Sequence, residues 1–352
     1  MRSLPSLCAA VAVISLLLPR PIRAQNPLVE QGKFPNRVHV FEDFETEIEK
    51  RWWLRGMEET KDLAPPLASL PNTRAWRSRT ARDVDPKQKD ANLNAVMFNP
   101  VPGPPMGKNP RLSFRCRLVG SDKLRVQIFS LTREDNYSIV LANLPQNQWQ
   151  ATTVDMTKLV RNDGAAGHLS EDERIDDIQF YVEPSAQVII DDIVLYDAAG
   201  EDEKEPFPSR IIFTGWFDTG EQGKEWPGEF RIVPHERPRT WKMAASVIND
   251  QTKKPWLRIG MRGQRPLTEN LRVRFKYKLS GTANNPGDVA LVDHATGKSR
   301  RAMLKNLVVG EWAQLVADLN AREPQTADEI HILLPAGARM FIDDLLLYEP
   351  GQ

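Results

Sequence analysis

The sequence predicts an all-β protein, with two tandem antiparallel jelly-roll β-sandwich modules that follow an N-terminal signal peptide. Three observations favour this fold class. Apolar and polar residues alternate in many short segments, patterns of helical period are nearly absent, and several segments of the first half recur in order in the second half. Alternation of this kind is typical of antiparallel strands with one buried and one solvated face.

Residues 1–24 are predicted to be a signal peptide. Arg2 gives a positive start, the run from Leu7 to Leu18 is apolar, and Ala24 is a small residue at a suitable cleavage point. The run is too short to cross a bilayer as a mature helix, although an uncleaved N-terminal anchor is the alternative. We therefore expect a secreted or periplasmic protein whose mature chain has no membrane span.

Composition narrows the function classes. The 352 residues include 47 Lys or Arg and 47 Asp or Glu, and this balance argues against a nucleic-acid partner. Cys8 belongs to the predicted signal peptide, so Cys116 is the one thiol of the mature sequence. Without an internal disulfide, burial of a core must stabilise the fold. Cys116 lies in an alternating apolar segment and is interpreted as a core residue, not a nucleophile.

An internal repeat defines the domains. Segment 188–196 (VIIDDIVLY) recurs as 340–348 (MFIDDLLLY), and an apolar segment precedes each copy. Upstream matches keep the same order: Phe44 with Phe217, Trp53 with Trp226, Asn143 with Asn306, and Trp149 with Trp312. We therefore divide the chain into a signal peptide (1–24), an N-terminal lead (25–37), jelly-roll module 1 (38–198), a charged, proline-containing linker (199–209) and jelly-roll module 2 (210–349).

The individual strands follow from local patterns. Segment 273–279 (VRFKYKL) is the clearest, with an apolar residue at every second position. Further strands are predicted at 112–118, 124–128, 137–144, 149–154 and 312–319. Only 169–177 and 326–330 are candidates for a helical turn.

The repeated last strand, here called the closing strand, is apolar on both faces and is predicted to be central in its sheet. It carries two adjacent carboxylates, Asp191-Asp192 in module 1 and Asp343-Asp344 in module 2. A buried carboxylate needs a partner, which could be a cation, an arginine or backbone N–H groups. Successive side chains of a strand point to opposite faces, so the two carboxylates of a pair are not expected to act on one bond.

These features resemble the carbohydrate-binding jelly rolls of the galactose-binding-like superfamily. Such modules open with a Phe-Glu or similar motif followed by Trp, and they close with an apolar strand that contains Asp-Asp. The openings here are Phe44-Glu45 with Trp53 and Phe217-Asp218 with Trp226. The resemblance covers most of both modules, and it implies the fold more directly than sugar binding, because the superfamily includes adhesive and purely structural members.

The resemblance also implies a possible structural calcium where the first and last strands meet. The candidate ligands are Glu45 with Asp191 in module 1 and Asp218 with Asp343 in module 2. Calcium prefers six to eight oxygen ligands, which carboxylates and carbonyl groups supply. The alternative is that these acids cap loops or pair with nearby arginines.

A ligand surface needs flat aromatic faces beside polar groups. The tryptophans that recur in both copies are interpreted as architectural, and Trp76 with Trp241 is a further candidate pair at an offset of 165. The unshared tryptophans are the better candidates for exposed platforms, together with polar residues of the strands. The candidates are Trp52, Trp76, Arg125, Gln127, Tyr137, Trp216, Trp241 and Trp256. The basic stripe of segment 272–278 is interpreted as a solvated sheet face, and contact with an anionic polysaccharide is the alternative.

No catalytic residues are assigned. The five histidines show no metal-binding spacing, and neither a nucleophile elbow nor a phosphate-binding loop is present in the sequence. The sequence therefore predicts an exported, non-catalytic protein that binds glycan or a cell-envelope component. The alternatives are a structural or protein-interaction component of the envelope and, third, a polysaccharide-active hydrolase.

Overall fold

The computed structural model describes residues 28–29, 32–45, 54–55, 57–67, 72–80, 92–100, 102–165, 168–198, 204–236, 241–281 and 287–351. The predicted signal peptide lies outside these residues, and so do Trp52 and Trp53. Within the described ranges, no helix has the length and apolar character needed to span a membrane.

Module 1 is a sandwich of two antiparallel sheets. Its described strands are β1 (Arg37–Glu42), β2 (Leu54–Arg55), β3 (Met57–Thr60), β4 (Ala75–Thr80), β5 (Asn94–Phe98), β6 (Pro110–Val119), β7 (Leu124–Ser130), β8 (Asp135–Leu141), β9 (Gln150–Asp155), β10 (Val160–Arg161), β11 (Ile175–Val182) and β12 (Gln187–Asp197). The closing sheet has the order β3-β4-β12-β6-β9, with β1 beside β12. The opposite sheet has the order β10-β8-β7-β11-β5, with β2 beside β5. Strand β4 pairs with both β12 and β5 and so connects the two sheets.

Module 2 has the same arrangement. Its described strands are β13 (Arg210–Gly215), β14 (Gly228–Glu229), β15 (Arg231–Pro234), β16 (Lys242–Ala245), β17 (Val247–Ile248), β18 (Pro255–Pro266), β19 (Arg272–Ser280), β20 (Gly287–Asp293), β21 (Lys298–Leu304), β22 (Trp312–Asp318), β23 (Thr326–Leu333) and β24 (Arg339–Glu349). The closing sheet has the order β15-β16-β24-β19-β22, with β13 beside β24. The opposite sheet has the order β14-β18-β23-β20-β21, with β17 beside β18.

The predicted all-β fold class is confirmed. Every second residue of β19 is buried along most of the strand, as the alternation predicted, and the closing strand β12 is buried on both faces. The expectation of helical turns at 169–177 and 326–330 is wrong. Residues 169–174 contain a turn at 171–172 and no helix, residues 175–182 are strand β11 and residues 326–333 are strand β23. In the two strands Ile178, Phe180, Ile330 and Ile332 point into the cores with a period of two. The described helical element is a 3-10 turn, Met156–Lys158.

The Asp-Asp pairs form bulges in the closing strands. Asp192 and Asp344 have left-handed φ angles of 47° and 52°, and the strand register shifts beside each of them. A bulge with a left-handed residue breaks the alternation of side chains. In module 2 the alternation is broken at this pair, because Asp343 and Asp344 both contact the side chain of Arg37.

Each module has its own hydrophobic core between its two sheets. Phe114 and Phe180 pack edge-on at the centre of module 1, with ring centroids 4.7 Å apart. Cys116 is a buried member of this core, and burial raises the pKa of its thiol to about 11. The interpretation of Cys116 as a packing residue is therefore consistent with its surroundings.

A third apolar cluster joins the modules, and we call this contact the seam. It comprises Leu28, Val29, Phe34, Val38, Leu67, Val194, Tyr196, Phe207, Ile211, Leu346 and Tyr348. Residues 32–34 run antiparallel to residues 205–207, and the Phe207 N–H donates to the carbonyl of Gly32 at 2.8 Å. The described end of the predicted linker therefore belongs to the seam and pairs with the N-terminal lead.

Candidate functional site

The outward side of the opposite sheet in module 1 carries polar side chains. Val126 on β7 and Phe180 on β11 point into the core. Because successive strand residues alternate, their neighbours Gln127, Gln179 and Tyr181 lie on the outward side. Strand pairing sets Gln127 directly beside Gln179.

The outward amides form one hydrogen-bond network. The amide nitrogen of Gln127 donates to Gln179 at 2.7 Å and to Asn136 at 3.2 Å. The amide nitrogen of Asn162 donates to Gln127 at 2.8 Å, and the hydroxyl of Tyr181 donates to Gln179 at 2.9 Å. Mutual bonding of this kind fixes the direction in which each polar group points.

An aromatic and apolar strip borders this network. The guanidinium of Arg125 lies over the ring of Tyr181, 4.3 Å from its centroid. Val140, which pairs with Arg125, is 58% exposed, and Val160 on the adjacent strand is 56% exposed. We define the module 1 face as Arg125, Gln127, Asn136, Val140, Gln179 and Tyr181. It combines directional polar groups with apolar surface.

The corresponding side of module 2 has different chemistry. Leu257 and Ile259 of β18 point into the core, so Trp256 and Arg258 lie outward. The indole of Trp256 meets the ring of His331 edge-on, with centroids 5.2 Å apart, and its buried N–H has no hydrogen-bond partner among the described residues.

Charged groups surround this tryptophan. Arg258 pairs with Glu229 at 2.8 Å, and its guanidinium carbon lies 5.9 Å from the centroid of the Trp256 ring. His331 hydrogen-bonds Glu329 at 2.6 Å. We define the module 2 face as Glu229, Trp256, Arg258, Glu329 and His331. Both acids on it are engaged by a basic side chain.

The two faces have diverged although the strands beneath them match. Gln179 pairs with Gln127 in module 1, whereas its repeat equivalent, His331, pairs with Ala290 in module 2. Tyr181 likewise corresponds to Leu333. The repeat therefore preserves core positions and changes outward ones, so the modules present different surfaces to a ligand.

Three of the predicted ligand-surface residues lie on these faces: Arg125, Gln127 and Trp256. Tyr137, by contrast, is 1% exposed and belongs to the core, because it occupies an inward position of β8. Trp76 packs on the core beside Phe44. These two side chains do not contribute to the module 1 face.

Two other candidates lie elsewhere. Trp216 is 2% exposed, and its indole N–H donates to the carbonyl of His39 across the contact between the modules. Trp241 lies beside the guanidinium of Arg37, 5.2 Å from carbon to ring centroid. Trp52 falls outside the described residues. Gln179, Tyr181 and His331 were missed, although their alternation with apolar neighbours was a usable signal.

In module 1 the closing carboxylates have protein partners. Asp192 accepts hydrogen bonds from the buried side chain of Arg115, whose guanidinium also donates to the carbonyl of Pro65. Asp191 accepts from the amide of Asn72 at 3.0 Å and from the N–H of Asp192 at 2.9 Å. Burial raises the pKa of Asp192 to about 6 against the effect of Arg115.

Glu45 and Asp191 both accept hydrogen bonds from the segment 72–74. The carboxylate of Glu45 accepts hydrogen bonds from the backbone N–H groups of Thr73 at 2.8 Å and Arg74 at 3.1 Å. Among the described residues, no group of three or more His, Cys, Asp or Glu side chains is arranged to hold a metal ion. Calcium in module 1 stays a prediction of the sequence.

In module 2 three carboxylates converge on one arginine. Arg37 of β1 donates to Asp218 and Asp344, and to Asp343 at 3.1 Å. Lys276 donates to Asp344 at 2.7 Å. Burial raises the pKa of Asp218 to about 7, and burial together with Asp344 raises that of Asp343 well above its usual value.

No family model matches the sequence, and no curated protein matches it. Solved structures of carbohydrate-binding modules are similar to it. The tandem CBM22-1-CBM22-2 domain of Paenibacillus barcinonensis Xyn10C shares 12% identity, with 90% of this chain and 99% of that chain covered and a TM-score of 0.29. The family 11 carbohydrate-binding module of the cellulase Lic26A-Cel5E of Clostridium thermocellum shares 17% identity, with 49% and 99% covered and a TM-score of 0.31.

A lectin is similar as well. The fucolectin from striped bass (Morone saxatilis) serum shares 9% identity, with 74% of this chain and 83% of that chain covered and a TM-score of 0.24. All three structures share less than 25% identity with this chain, and its all-β sandwich architecture is established by the strands described above.

Proposed function

We propose that this protein is exported, has no catalytic activity and binds glycan through the outward faces of its two modules. The observation that carries the proposal is the composition of these faces. Aromatic rings that are largely buried, Tyr181 at 7% and Trp256 at 9% exposed, lie beside fixed amide, carboxylate and guanidinium groups on the outward sides of the opposite sheets. Export is supported by the signal-like sequence of residues 1–24.

Sugar recognition needs this combination. A pyranose ring has an apolar C–H face, which stacks on an aromatic side chain, and hydroxyl groups, which require donors and acceptors of fixed direction. Trp256 and Tyr181 are the aromatic rings of the two faces, but they are 9% and 7% exposed, so a sugar reaches them only at their edges. Arg258 and Glu329 supply polar groups beside Trp256, and Gln127, which is 4% exposed, belongs to the network beside Tyr181.

We propose that the protein is not catalytic because both acids of the module 2 face are held in ion pairs. A glycosidase needs two carboxyl groups free to flank the scissile bond. Here Glu229 pairs with Arg258, and Glu329 is bound by both Arg258 and His331. These ion pairs favour a binding role over an acid–base role.

Affinity electrophoresis of the chain without residues 1–24, through gels that contain a panel of neutral and acidic polysaccharides, tests the proposal. We expect retardation by at least one polymer. Trp256→Ala or Gln127→Ala should weaken binding to that polymer by about tenfold, equivalent to about 1.4 kcal/mol. Trp312→Ala is the matched control, because its ring stacks on His235 in the closing sheet, away from both faces.

Two outcomes would contradict the proposal. If no polymer retards the protein, the alternative of a structural or protein-interaction component of the cell envelope is favoured. If the protein shortens a polysaccharide and replacement of Glu229 or Glu329 abolishes that turnover, the protein is a hydrolase.

A further inference from the structure

The acidic cluster of module 2 is completed by a side chain from the other module. Arg37 is the first residue of β1 in module 1, and its three nitrogens each contact a different carboxylate of module 2: Asp218, Asp343 and Asp344. The side chain of Arg37 is 12% exposed, and those of the three acids are 3%, 6% and 8% exposed. A buried cation therefore lies among three buried anions.

Asp218 and Asp343 are the pair that the resemblance implies as calcium ligands. The structure does bring them together, as a metal site would require, but the shared cation is a guanidinium. Of the three remaining carboxylate oxygens, one on Asp344 accepts from Lys276 at 2.7 Å and one on Asp343 accepts from the N–H of Asp344 at 2.8 Å. The buried Oδ1 of Asp218 has no hydrogen-bond partner among the described residues. Calcium needs six to eight free oxygens around one point, and this set does not provide them.

We propose that the guanidinium of Arg37 takes the place of a metal cation in module 2, so that docking of module 1 completes this site without calcium. The arginine suits the position because its planar fork presents donors in fixed directions to several carboxylates at once. The ring of Trp241 covers the guanidinium and excludes water from it on one side.

The seam contains a second arginine at the equivalent position. Arg210 begins β13 as Arg37 begins β1, and it reaches back to Asp43 of module 1 at 3.9 Å while it hydrogen-bonds Glu349 of its own module. Asp43 is also approached by Arg265 of module 2 at 3.5 Å. Each module therefore receives an arginine from the first strand of the other, but Asp43 is not the repeat equivalent of Asp218, Asp343 or Asp344. The closing acid Asp192 of module 1 instead pairs with Arg115 of its own module.

Terbium, a luminescent stand-in for calcium, tests the proposal when its emission is excited through tryptophan. The Glu45→Gln protein removes the calcium candidate of module 1 and leaves the cluster of module 2 intact. We expect this protein to give no terbium emission and no change in melting temperature when calcium is added or chelated. Emission from Glu45→Gln that Asp343→Asn then abolishes would overturn the proposal.

Removal of the guanidinium gives the complementary test. In the Glu45→Gln background, which is used for all variants of this test, Arg37→Ala should acquire calcium-dependent melting and terbium emission, and Asp343→Asn in the same chain should abolish both. Arg37→Lys, which keeps a cation in place, is the matched control and should acquire neither. If Arg37→Ala folds and binds no terbium, or if it fails to fold at every calcium concentration, the carboxylates are not a converted metal site and the proposal fails.

Discussion

The ring of Phe34 contacts the ring of Tyr348 edge-on, with centroids 5.1 Å apart. An equivalent contact joins the modules a second time, where the ring of Phe207 packs edge-on against the ring of Tyr196 with centroids 5.0 Å apart. Phe34 and Phe207 occupy equivalent positions ahead of their modules, and Tyr196 and Tyr348 occupy equivalent positions in the closing strands. The seam therefore resembles a two-fold symmetric dimer interface built within one chain.

Phe34→Ala should destabilise the protein by about 3 kcal/mol, since it removes a buried ring from a packed cluster. Because the seam is nearly symmetric, Phe207→Ala should cost a similar amount. Thermal unfolding followed by circular dichroism measures both, and Val316→Ala, at a residue that is 46% exposed, is the control. A Phe34→Ala protein that melts like the wild type would show that the seam does not contribute to stability.

His39 should make the protein sensitive to acid. It is buried in the contact between modules, and burial together with the charge of Arg37 lowers its pKa to about 3. Below pH 6.5 the His39 side chain becomes protonated in the unfolded chain, whereas in the folded chain it stays neutral until the pH approaches 3. Stability from this group is therefore fully present above pH 6.5 and falls as the pH drops towards 3, by about 2 kcal/mol at pH 5.

Comparison with His39→Leu isolates this effect. The raised pKa values of Asp192 and Asp218 act in the opposite sense, because they stabilise the folded state as the pH falls from neutrality. The two proteins share those acids, so the difference between their unfolding free energies, measured in urea from pH 4 to 7.5, reports His39. A difference that does not change with pH would contradict the prediction.

Arg115→Met should destabilise module 1 by about 3 to 5 kcal/mol, because it leaves Asp192 buried without its cation. Removal of the charge from both partners, as in Arg115→Met with Asp192→Asn, should recover part of this loss. Urea unfolding of the two single variants and the double variant measures the coupling. Additive losses in the double variant would show that the ion pair has no net interaction energy.

Gln127→Ala should cost about 1 to 2 kcal/mol of folding stability in addition to its effect on ligand retention, because it removes bonding partners from Gln179 and Asn162. Gln314→Ala, at an exposed glutamine of β22, is the control and should melt like the wild type. The comparison is made by thermal unfolding without ligand. If both variants melt alike, the network does not order the module 1 face.

The alternation of apolar and polar residues predicted strands well where contacts within one module determine which side chains are buried. Phe275 and Tyr277 are buried and the basic residues between them are outward, as the alternation indicated. The recurring Asn143 and Asn306 also have a local reason, because both adopt left-handed φ angles, near 60° and 55°, that asparagine tolerates.

Features that depend on contact between the modules could not be predicted in this way. Trp216 follows the chain-bending Gly215 in the sequence, but it is buried between Trp226 of its own module and β1 of the other module. Arg37 stood in a segment read as a lead, and nothing near it in the sequence identifies its acidic partners in module 2. The left-handed residue in each closing strand also escaped prediction, since Asp-Asp within an apolar run gives no sign of a bulge.

The antiparallel pairing of residues 32–34 with residues 205–207 has a consequence for how the chain is held together. The hydrogen bonds and apolar contacts that join the two modules involve residues before and after the connecting segment 199–203. An intact peptide chain through 199–203 is therefore not needed to hold the modules together. Two separately produced polypeptides, one that ends after Ala198 and one that begins at Lys204, should therefore associate non-covalently and form the same two-module structure.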